Sequence, residues 1–493
     1  MGFNRFLTIS PIALVALSAC RGTFDPAGNA VTGNIVKGPL SNALVFLDLD
    51  GDNVLDANEQ SIRTDANGKF TINTNATNYK IVALTDDSTV DTSSGAVLAG
   101  VTLSAPKGAS VVTPTTTLME EGGMTAAEVA EVLGLPDGVD PLTFNPFEAG
   151  VDATKALAVE KVSQQIMTAV SSFASAAEGA GASEKGAFTA ALNSVVDVVK
   201  VKAEKIKDPN AAAADKKIDF TKAADLDLIK AKVADEAEKI VTSEGTTGFS
   251  KAALTSLVND TATSIKNVND QIGAVTDLTS DASKNVFSTL QVLQDQVKNA
   301  AIAEKATPGS GSIDFKDAAK VTASAKNKAP TEIKLSIDTI TEGSSNLLIG
   351  KLQTVDSDQK TGEKFKYEIV DIAGTDFKNF SMDKDTGAFS FKETPVAGSY
   401  KVIIKSTDAG GKSFAKEVKI NVQKDFHKDV IAKVNVTVSD YTKLDAYFKK
   451  LDGLEDDMSA AVKGAMDHLM KFETEMMGMT SSTPTSGLSL IHI

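Results

Sequence analysis

The spacing of apolar residues changes twice along this 493-residue chain, and this change constrains the fold more than any single motif. Short β-prone runs separated by Gly, Asn and Asp turns occupy residues 33–118. Residues 124–306 instead show helical spacing, and period-two alternation returns over 327–423. Because strands and helices are segregated, we predict a multidomain α+β protein: an N-terminal β-sandwich, a helical bundle or coiled-coil-like region, and a C-terminal β-sandwich.

The remaining segments complete the predicted domain plan. Residues 20–32 are small and polar and predict a tether, and residues 307–326 predict a linker. Residues 440–478 have helical spacing and predict a short helical tail. Residues 479–493 are predicted to be disordered. Their apolar end, 488–493, has no turn or cap and looks like translated sequencing-adapter read-through, which favours a truncated or artefactual end over an ordinary apolar C-terminus.

Periodicity divides the central region into separate helices. We predict helices near 152–178, 184–207, 221–243 and 250–306, with a break in the last one near 276–282. Apolar residues recur every seven positions in that last helix, which favours a helical hairpin or bundle. Core packing explains this stripe, and the alternative is a dedicated partner-binding face.

Local signals also mark where helices begin. Thr125 and Glu128 have the spacing of a capping box, which predicts the start of a short amphipathic helix. Gly134 is predicted to end this helix. Two similar segments, 218–224 and 313–319, predict a repeated strand-to-helix junction.

The first twenty residues have the pattern of an export signal. The apolar run at 6–17 is too short to cross a bilayer. Residues 17–20 read Leu-Ser-Ala-Cys, which resembles the bacterial lipobox. That resemblance implies removal of a signal peptide at 1–19 and attachment of lipid to Cys20, and Arg21 after the cysteine resembles the outer-membrane sorting outcome. The alternative is a plain secretory signal with a chance cysteine.

Composition excludes several functional classes. Asp and Glu outnumber Lys and Arg by 65 to 50, which argues against a nucleic-acid partner. One Cys cannot build a Cys-based zinc site, and the three His show no ligand spacing, which argues against a metal hydrolase built on His. No Walker loop, dinucleotide-binding glycine motif or His-Glu-x-x-His helix is present, so we predict a protein that is not an enzyme. An acidic, Cys-poor chain can still bind a hard cation such as Ca²⁺.

The strongest chemical motif is the acidic segment at residues 48–59. Read as a twelve-residue loop, it places oxygen ligands at the positions from which an EF-hand loop binds Ca²⁺. Asn53 stands where such loops usually have Gly, and Asn tolerates the positive φ that the turn needs. The alternative is a solvated acidic turn. The predicted ligands are Asp48, Asp50, Asp52, the Val54 carbonyl, Asp56 and Glu59.

The residues around this loop are β-prone rather than helical. Residues 43–47 precede the loop as a strand, and 61–64 lead into a tight hairpin at 65–70. Segments 38–48 and 64–70 resemble the prealbumin-like, carboxypeptidase-regulatory or B-type repeats of bacterial surface adhesins. The resemblance implies an accessory β-sandwich that a Ca²⁺ loop between strands stiffens, without catalysis.

The last β-region resembles a cadherin-like domain over residues 327–423. The resemblance rests on an ordered series that includes Ile-Thr-Glu-Gly at 340–343, Asp-Ser-Asp at 356–358 and Thr-Asp-Ala-Gly-Gly at 407–411. It departs from the family at 393–396, where Asp-Arg-Glu is absent, so the metal-free dystroglycan-type variety is the alternative. The resemblance implies a possible second metal site at Glu342, Asp356, Asp358 and Asp408.

Together these features predict a calcium-binding lipoprotein of the outer membrane, exposed at the cell surface and active in cell adhesion or as a scaffold. Its partner is expected to be a protein or a glycan. The alternative is a periplasmic-facing outer-membrane lipoprotein that binds a small ligand or an envelope partner.

Overall fold

The computed structural model describes six stretches of the chain. Strands come first, helices follow and further sheets come last, which confirms the predicted mixed α+β class. The predicted signal peptide, Cys20 and the apolar end lie outside the described residues. The described stretches are residues 29–336, 339–359, 361–371, 374–425, 440–446 and 460–480.

Residues 29–112 form ten short strands in three sheets. The sheet orders are β4-β3-β6-β9, β10-β1-β5 and β2-β7-β8, and every pair is antiparallel except β1 with β10. The strands are β1 Asn29–Ile35, β2 Leu40–Ser41, β3 Leu44–Asp48, β4 Ser61–Arg63, β5 Lys69–Thr74, β6 Lys80–Leu84, β7 Val90–Asp91, β8 Ala96–Val97, β9 Thr102–Pro106 and β10 Val111–Val112.

Ten helices follow over residues 114–326, and they confirm the predicted helical region. The capping box at Thr125 is present, and the break predicted near 276–282 lies between α7 and α8. The helices are α1 Pro114–Gly122, α2 Ala126–Leu133, α3 Ala153–Gly179, α4 Glu184–Ile206, α5 Ala213–Lys216, α6 Ala223–Glu244, α7 Lys251–Gly273, α8 Asp281–Phe287, α9 Thr289–Ala306 and α10 Ala318–Lys326.

Helix α1 begins inside the segment that was predicted to be β-structure. The Thr113 side chain caps it by accepting a hydrogen bond from Thr116 N at 3.0 Å. Pro114 opens the first turn, where a missing N–H costs nothing. Thr116 Oγ1 also donates to Ser104 O of β9 at 2.9 Å, which holds the helix against the sheet. The β-region therefore ends before this helix rather than at residue 118.

The segment predicted as a linker is folded against the helices. It contains a 3₁₀ turn at Asp314–Lys316 and helix α10. Asn267 Nδ2 on α7 donates to Phe315 O at 3.0 Å, and Asn269 Nδ2 donates to Phe220 O at 2.9 Å. The two similar segments, 218–224 and 313–319, thus both contact α7 just before α6 and α10 begin. Neither segment forms the strand that the sequence predicted.

The C-terminal strands form two four-stranded sheets around one core. The orders are β11-β13-β16-β15 and β12-β18-β17-β14, and Phe380, Phe389, Val402 and Ile420 are among the core residues. The strands are β11 Glu332–Leu335, β12 Thr339–Thr341, β13 Leu348–Val355, β14 Lys366–Val370, β15 Phe380–Met382, β16 Ala388–Phe391, β17 Gly398–Thr407 and β18 Ser413–Gln423.

One hydrophobic core runs through the N-terminal strands and the helices, from Ile35 to Val321. The predicted boundary between residues 118 and 124 falls inside this core. Strands and helices therefore bury apolar surface against each other and form one unit. The core of the C-terminal sheets is separate.

The two units meet at the turn between β17 and β18. The Lys412 side chain is fully buried there, and its Nζ donates to Asn285 O at 2.6 Å and to Asn327 O at 2.5 Å. Gln291 Nε2 on α9 donates to Ser413 Oγ at 2.7 Å. These bonds attach the C-terminal sheets to the helices.

The predicted helical tail is described in part. Residues 440–446 are helical, and a longer helix spans Ala460–Thr480. In the described part of the chain, no helix combines the length and apolar character needed to cross a membrane.

Candidate metal centre

The acidic loop connects two paired strands, as the sequence predicted. Strand β3 ends at Asp48 and β4 begins at Ser61, and the two strands are antiparallel. Asp48 is only 1% exposed because it still belongs to β3, whereas Asp50 and Asp52 lie on the exposed loop. Asn53 has φ of 58°, which confirms the left-handed conformation predicted for this position.

Backbone N–H groups shape the loop by hydrogen bonding to its carboxylates. Asp48 Oδ1 accepts from Gly51 N at 2.7 Å, and Asp48 Oδ2 accepts from Asn53 N at 2.9 Å. Asp50 Oδ1 accepts from Asp52 N at 3.2 Å, and Asp52 Oδ1 accepts from Val54 N at 2.7 Å. Successive turns of this kind bend the chain around its own carboxylates.

Three carboxylates converge at this bend. Asp48, Asp50 and Asp52 each offer an oxygen that lies within 4.8 Å of the others. The bond from Asp52 N lowers the pKa of Asp50, but desolvation and the neighbouring carboxylates, including Asp56, raise it by more. Burial raises the pKa of Asp48, but its backbone hydrogen bonds and the charge of Lys80 together lower it by more. The pKa of Asp48 is therefore below its usual range.

The other two predicted side-chain ligands lie outside this group of three. Glu59 closes the loop, because its Oε1 accepts from Leu49 N at 2.8 Å and its Oε2 accepts from Asp56 N at 3.0 Å. Glu59 is largely buried, while the Asp56 side chain is exposed. Coordination by all five side chains would require Glu59 to exchange these backbone bonds for the cation.

A lysine that sequence reasoning missed lies beside the loop. Lys80 Nζ is 3.5 Å from Asp48 Oδ2 and donates to Gly51 O at 3.1 Å. The β3–β6 pairing places Lys80 directly opposite Asp48. Nothing near the motif signals this register, because the two strands are separated by the loop and by β4 and β5. The ammonium partly neutralises the carboxylates and competes with a bound cation.

The donor set suits a hard cation. All of the side-chain donors are oxygens, which Ca²⁺ prefers, and three carboxylates already converge. Asn53 Oδ1 is buried in the loop without a hydrogen-bond partner, so one further oxygen is not committed to the protein. The residues present therefore fit Ca²⁺.

The four residues of the predicted second site are not brought together. Glu342 N donates to Gln423 O at the last residue of β18, whereas Asp408 lies in the turn that precedes β18. Strand β18 has 11 residues. Its ends are therefore roughly 30 Å apart at about 3.3 Å per residue, and Glu342 cannot share a cation with Asp408.

The three aspartates of that predicted site do lie near one another, at the junction with the helices. Asp358 Oδ2 accepts from Lys328 N at 2.9 Å, and Asp408 Oδ2 accepts from Asn327 Nδ2 at 2.8 Å. Burial and a hydrogen bond with Asp358 raise the pKa of Asp356 to about 7.

Lys412 places a positively charged side chain at this junction. Burial lowers the pKa of the Lys412 ammonium to about 8, and Asp408 and Asp358 oppose that shift by attraction. The Lys412 ammonium thus adds a positive charge close enough to Asp408 and Asp358 to interact with both. Because Glu342 lies at the other end of β18, the four predicted residues do not form one metal site.

No family model and no curated protein matches this chain.

Proposed function

We propose that this chain is a non-enzymatic, calcium-binding bacterial surface protein that is anchored by lipid on Cys20 and acts in adhesion or as a scaffold. The observation that carries the proposal is the loop in which Asp48, Asp50 and Asp52 converge between two paired strands. A cation there would relieve the repulsion among the carboxylates and stiffen the edge of the sheet.

The architecture supports a role in display. Two C-terminal sheets around one core are compatible with a cadherin-like β-sandwich, and the N-terminal strands with a prealbumin-like module. The C-terminal sheets are attached to the helices through the buried Lys412, which holds them at a defined position. The acidic composition supports a protein or glycan partner rather than nucleic acid.

Calcium is expected to raise the melting temperature of the mature chain, and replacement of Asp50 and Asp52 by Asn is expected to abolish the rise. Calcium at 100 times its Kd adds about 2.7 kcal/mol to the free energy of unfolding. Both aspartates are exposed and make only local turn bonds, so the double variant keeps its fold. Thermal melts in Ca²⁺ and in chelator measure the difference.

The matched control for this titration is Asp65→Asn in the adjacent hairpin. Asp65 Oδ1 accepts from Asn67 N at 2.8 Å and from Lys69 N at 2.9 Å, as the aspartates of the acidic loop do. Asp65 does not belong to the cluster of converging carboxylates, however. This variant should respond to Ca²⁺ like the native chain. The proposed site is contradicted if Ca²⁺ does not raise the melting temperature of the native chain. It is also contradicted if Ca²⁺ still raises the melting temperature of the double variant.

A cavity in the helical region favours a second candidate function, the binding of a small ligand by a periplasmic-facing lipoprotein. Its volume is about 890 Å³, and its walls include Leu133, Val162 and Phe220. An ion pair between Lys202 and Asp225, 2.8 Å long, lies at one side. Apolar walls with a few fixed polar groups are typical of ligand sites.

Protease treatment of intact cells distinguishes the two candidates. A surface-exposed protein is expected to be cleaved, whereas a periplasmic-facing protein survives until the outer membrane is opened. Replacement of Cys20 by Ser is expected to release the chain from the membrane fraction in either case, because lipid attachment requires the sulfur. Full protection in intact cells would contradict the surface assignment.

A further inference from the structure

The helical tail, residues 440–446 and 460–480, exposes large apolar side chains more densely than the rest of the described chain. The described residues between 29 and 425 expose nine such side chains, whereas the much shorter tail exposes five. A concentration of this kind marks an interaction surface, whereas single exposed apolar residues do not. The five are Tyr441, Leu444, Met470, Phe472 and Met477.

The two helical segments of the tail contact each other, but this contact does not cover the apolar side chains. The ring centroids of Tyr441 and Phe472 are 5.6 Å apart. Tyr441 nevertheless remains 36% exposed, and Phe472 remains 46% exposed. A single pair of helices leaves part of each apolar stripe in water, and packing a second pair against it buries the remainder in a four-helix bundle.

One row of residues along the longer helix has a charge at each end and methionine between the charges. The row consists of Lys463, Met466, Met470 and Glu473. Its members are spaced by three, four and three residues, which places them on one face of the helix. Lys463 and Met470 are exposed, Glu473 is half-buried and Met466 is buried. Methionine suits a contact surface, because its flexible thioether side chain fills irregular gaps.

This row is complementary to itself when its direction is reversed. In an antiparallel pair of identical helices, Lys463 of one copy meets Glu473 of the other, and Met466 meets Met470. A two-fold axis repeats each contact, so both ends of the row pair opposite charges. In a parallel pair, each charged residue would meet the same residue of the other copy and be repelled. The charges of the row therefore fit a second copy of this helix in the antiparallel orientation.

We propose that the helical tail is a dimerisation surface, and that two copies of this chain associate through antiparallel contact of the row at 463–473. Lys463 and Glu473 are about 15 Å apart along the helix, at about 1.5 Å per residue. The contacts between Met466 and Met470 lie between the two ion pairs. Apolar burial supplies the attraction, and the ion pairs set the direction of the helices.

Dimerisation would double the number of β-modules that one assembly displays. A surface that binds through two modules at once gains avidity without any new contact, because the second binding event becomes intramolecular. The row at 463–473 shares no residue with the acidic loop at 48–59. The success or failure of the dimer is therefore separate from that of the proposed metal site.

Sedimentation equilibrium of the chain from residue 20 onwards, with Cys20→Ser so that no lipid is attached, tests the dimer. We expect twice the mass of one chain, in Ca²⁺ and in chelator alike. Lys463→Glu should weaken the association about tenfold or more, because like charges then face each other at both ends of the row. Lys471→Glu is the matched control, since it makes the same change of charge on the same helix outside the row, and it should leave the dimer intact. A chain that stays monomeric up to its solubility limit would overturn the proposal.

Reversing both charges tests the antiparallel contact. Lys463→Glu combined with Glu473→Lys restores an opposite charge at each end of the row, so the combined variant should dimerise like the native chain. Recovery of the dimer would also show that the substituted helix still folds. A folded combined variant that associates as weakly as Lys463→Glu alone would overturn the pairing of these two residues.

Disulfide cross-linking measures the direction of the helices directly. The Cys20→Ser chain contains no other cysteine. Lys463→Cys mixed with Glu473→Cys should form a mixed disulfide in oxidised glutathione. Two Lys463→Cys chains should not cross-link, because their cysteines lie about 15 Å apart along the antiparallel pair. A disulfide between two Lys463→Cys chains, or the absence of the mixed disulfide, would overturn the antiparallel dimer even if the combined variant fails to fold.

Discussion

Replacing Lys412 with Ala is expected to lower the free energy of unfolding of the C-terminal sheets by about 3–5 kcal/mol. The Lys412 side chain is fully buried, and its ammonium donates to the carbonyls of Asn285 and Asn327. Alanine would leave both carbonyls without a donor, leave Asp408 without a nearby cation and open a cavity. Calorimetry of the full chain measures this loss, because the two separate cores are expected to give two transitions.

Lys416→Ala is the matched control for that variant. Lys416 lies on β18, just after the turn that holds Lys412, and its Nζ donates to Ile333 O at 3.0 Å, but its side chain is 42% exposed. Water can donate to the Ile333 carbonyl in place of this exposed ammonium. We therefore expect Lys416→Ala to lower the free energy of unfolding by less than about 1 kcal/mol. Limited proteolysis near residues 327–330 should be faster in Lys412→Ala alone. A Lys412→Ala chain that melts and resists protease like the native chain would show that the junction does not depend on this ammonium.

Replacing Glu160 with Gln is expected to remove a loss of stability that the native chain undergoes as the pH rises. Burial raises the pKa of Glu160 from 4.5 to about 8, so the folded chain holds this proton more tightly than the unfolded chain. The stability that protonated Glu160 permits is therefore fully present below pH 4.5 and is lost as the pH rises towards 8. The cost at pH 7 is about 3 kcal/mol, and Gln, which does not ionise, avoids it.

Urea unfolding at several pH values between 2 and 8 measures this effect. The informative quantity is the change in the free energy of unfolding with pH. Glu128→Gln is a control of opposite sign. Hydrogen bonds from Thr125 lower the pKa of Glu128 to about 2, so this carboxylate stabilises the chain above its unfolded pKa. Equal pH dependence in the native chain and Glu160→Gln would contradict the prediction.

Local signals predicted the features that depend on neighbouring residues. The capping box at Thr125, the break before α8, and the strands on either side of the acidic loop follow from propensity and spacing. The left-handed conformation of Asn53 follows from its place in the loop. The helix that begins at Pro114 was missed because the β-branched residues around it also favour strands.

The two lysines that face the predicted metal ligands could not be found in this way. Lys80 meets Asp48 only because β6 pairs with β3 in one register, and Lys412 meets the helices only because two units dock. Likewise, Glu342 is separated from Asp408 by the length of β18. Spacing in the sequence does not encode such distances, because they depend on which strands pair and where units meet.

The amino-acid sequence by itself thus determined the order of strands and helices, the ends of several helices and the converging carboxylates of the acidic loop, since each depends on contacts between near neighbours. Tertiary structure alone decided that the first strands share one core with the helices. It also brought Lys37, Asp91 and Glu160 together in that core. Lys37 and Asp91 meet inside the β-region, and the burial of apolar surface between α3 and the strands brings Glu160 close to both.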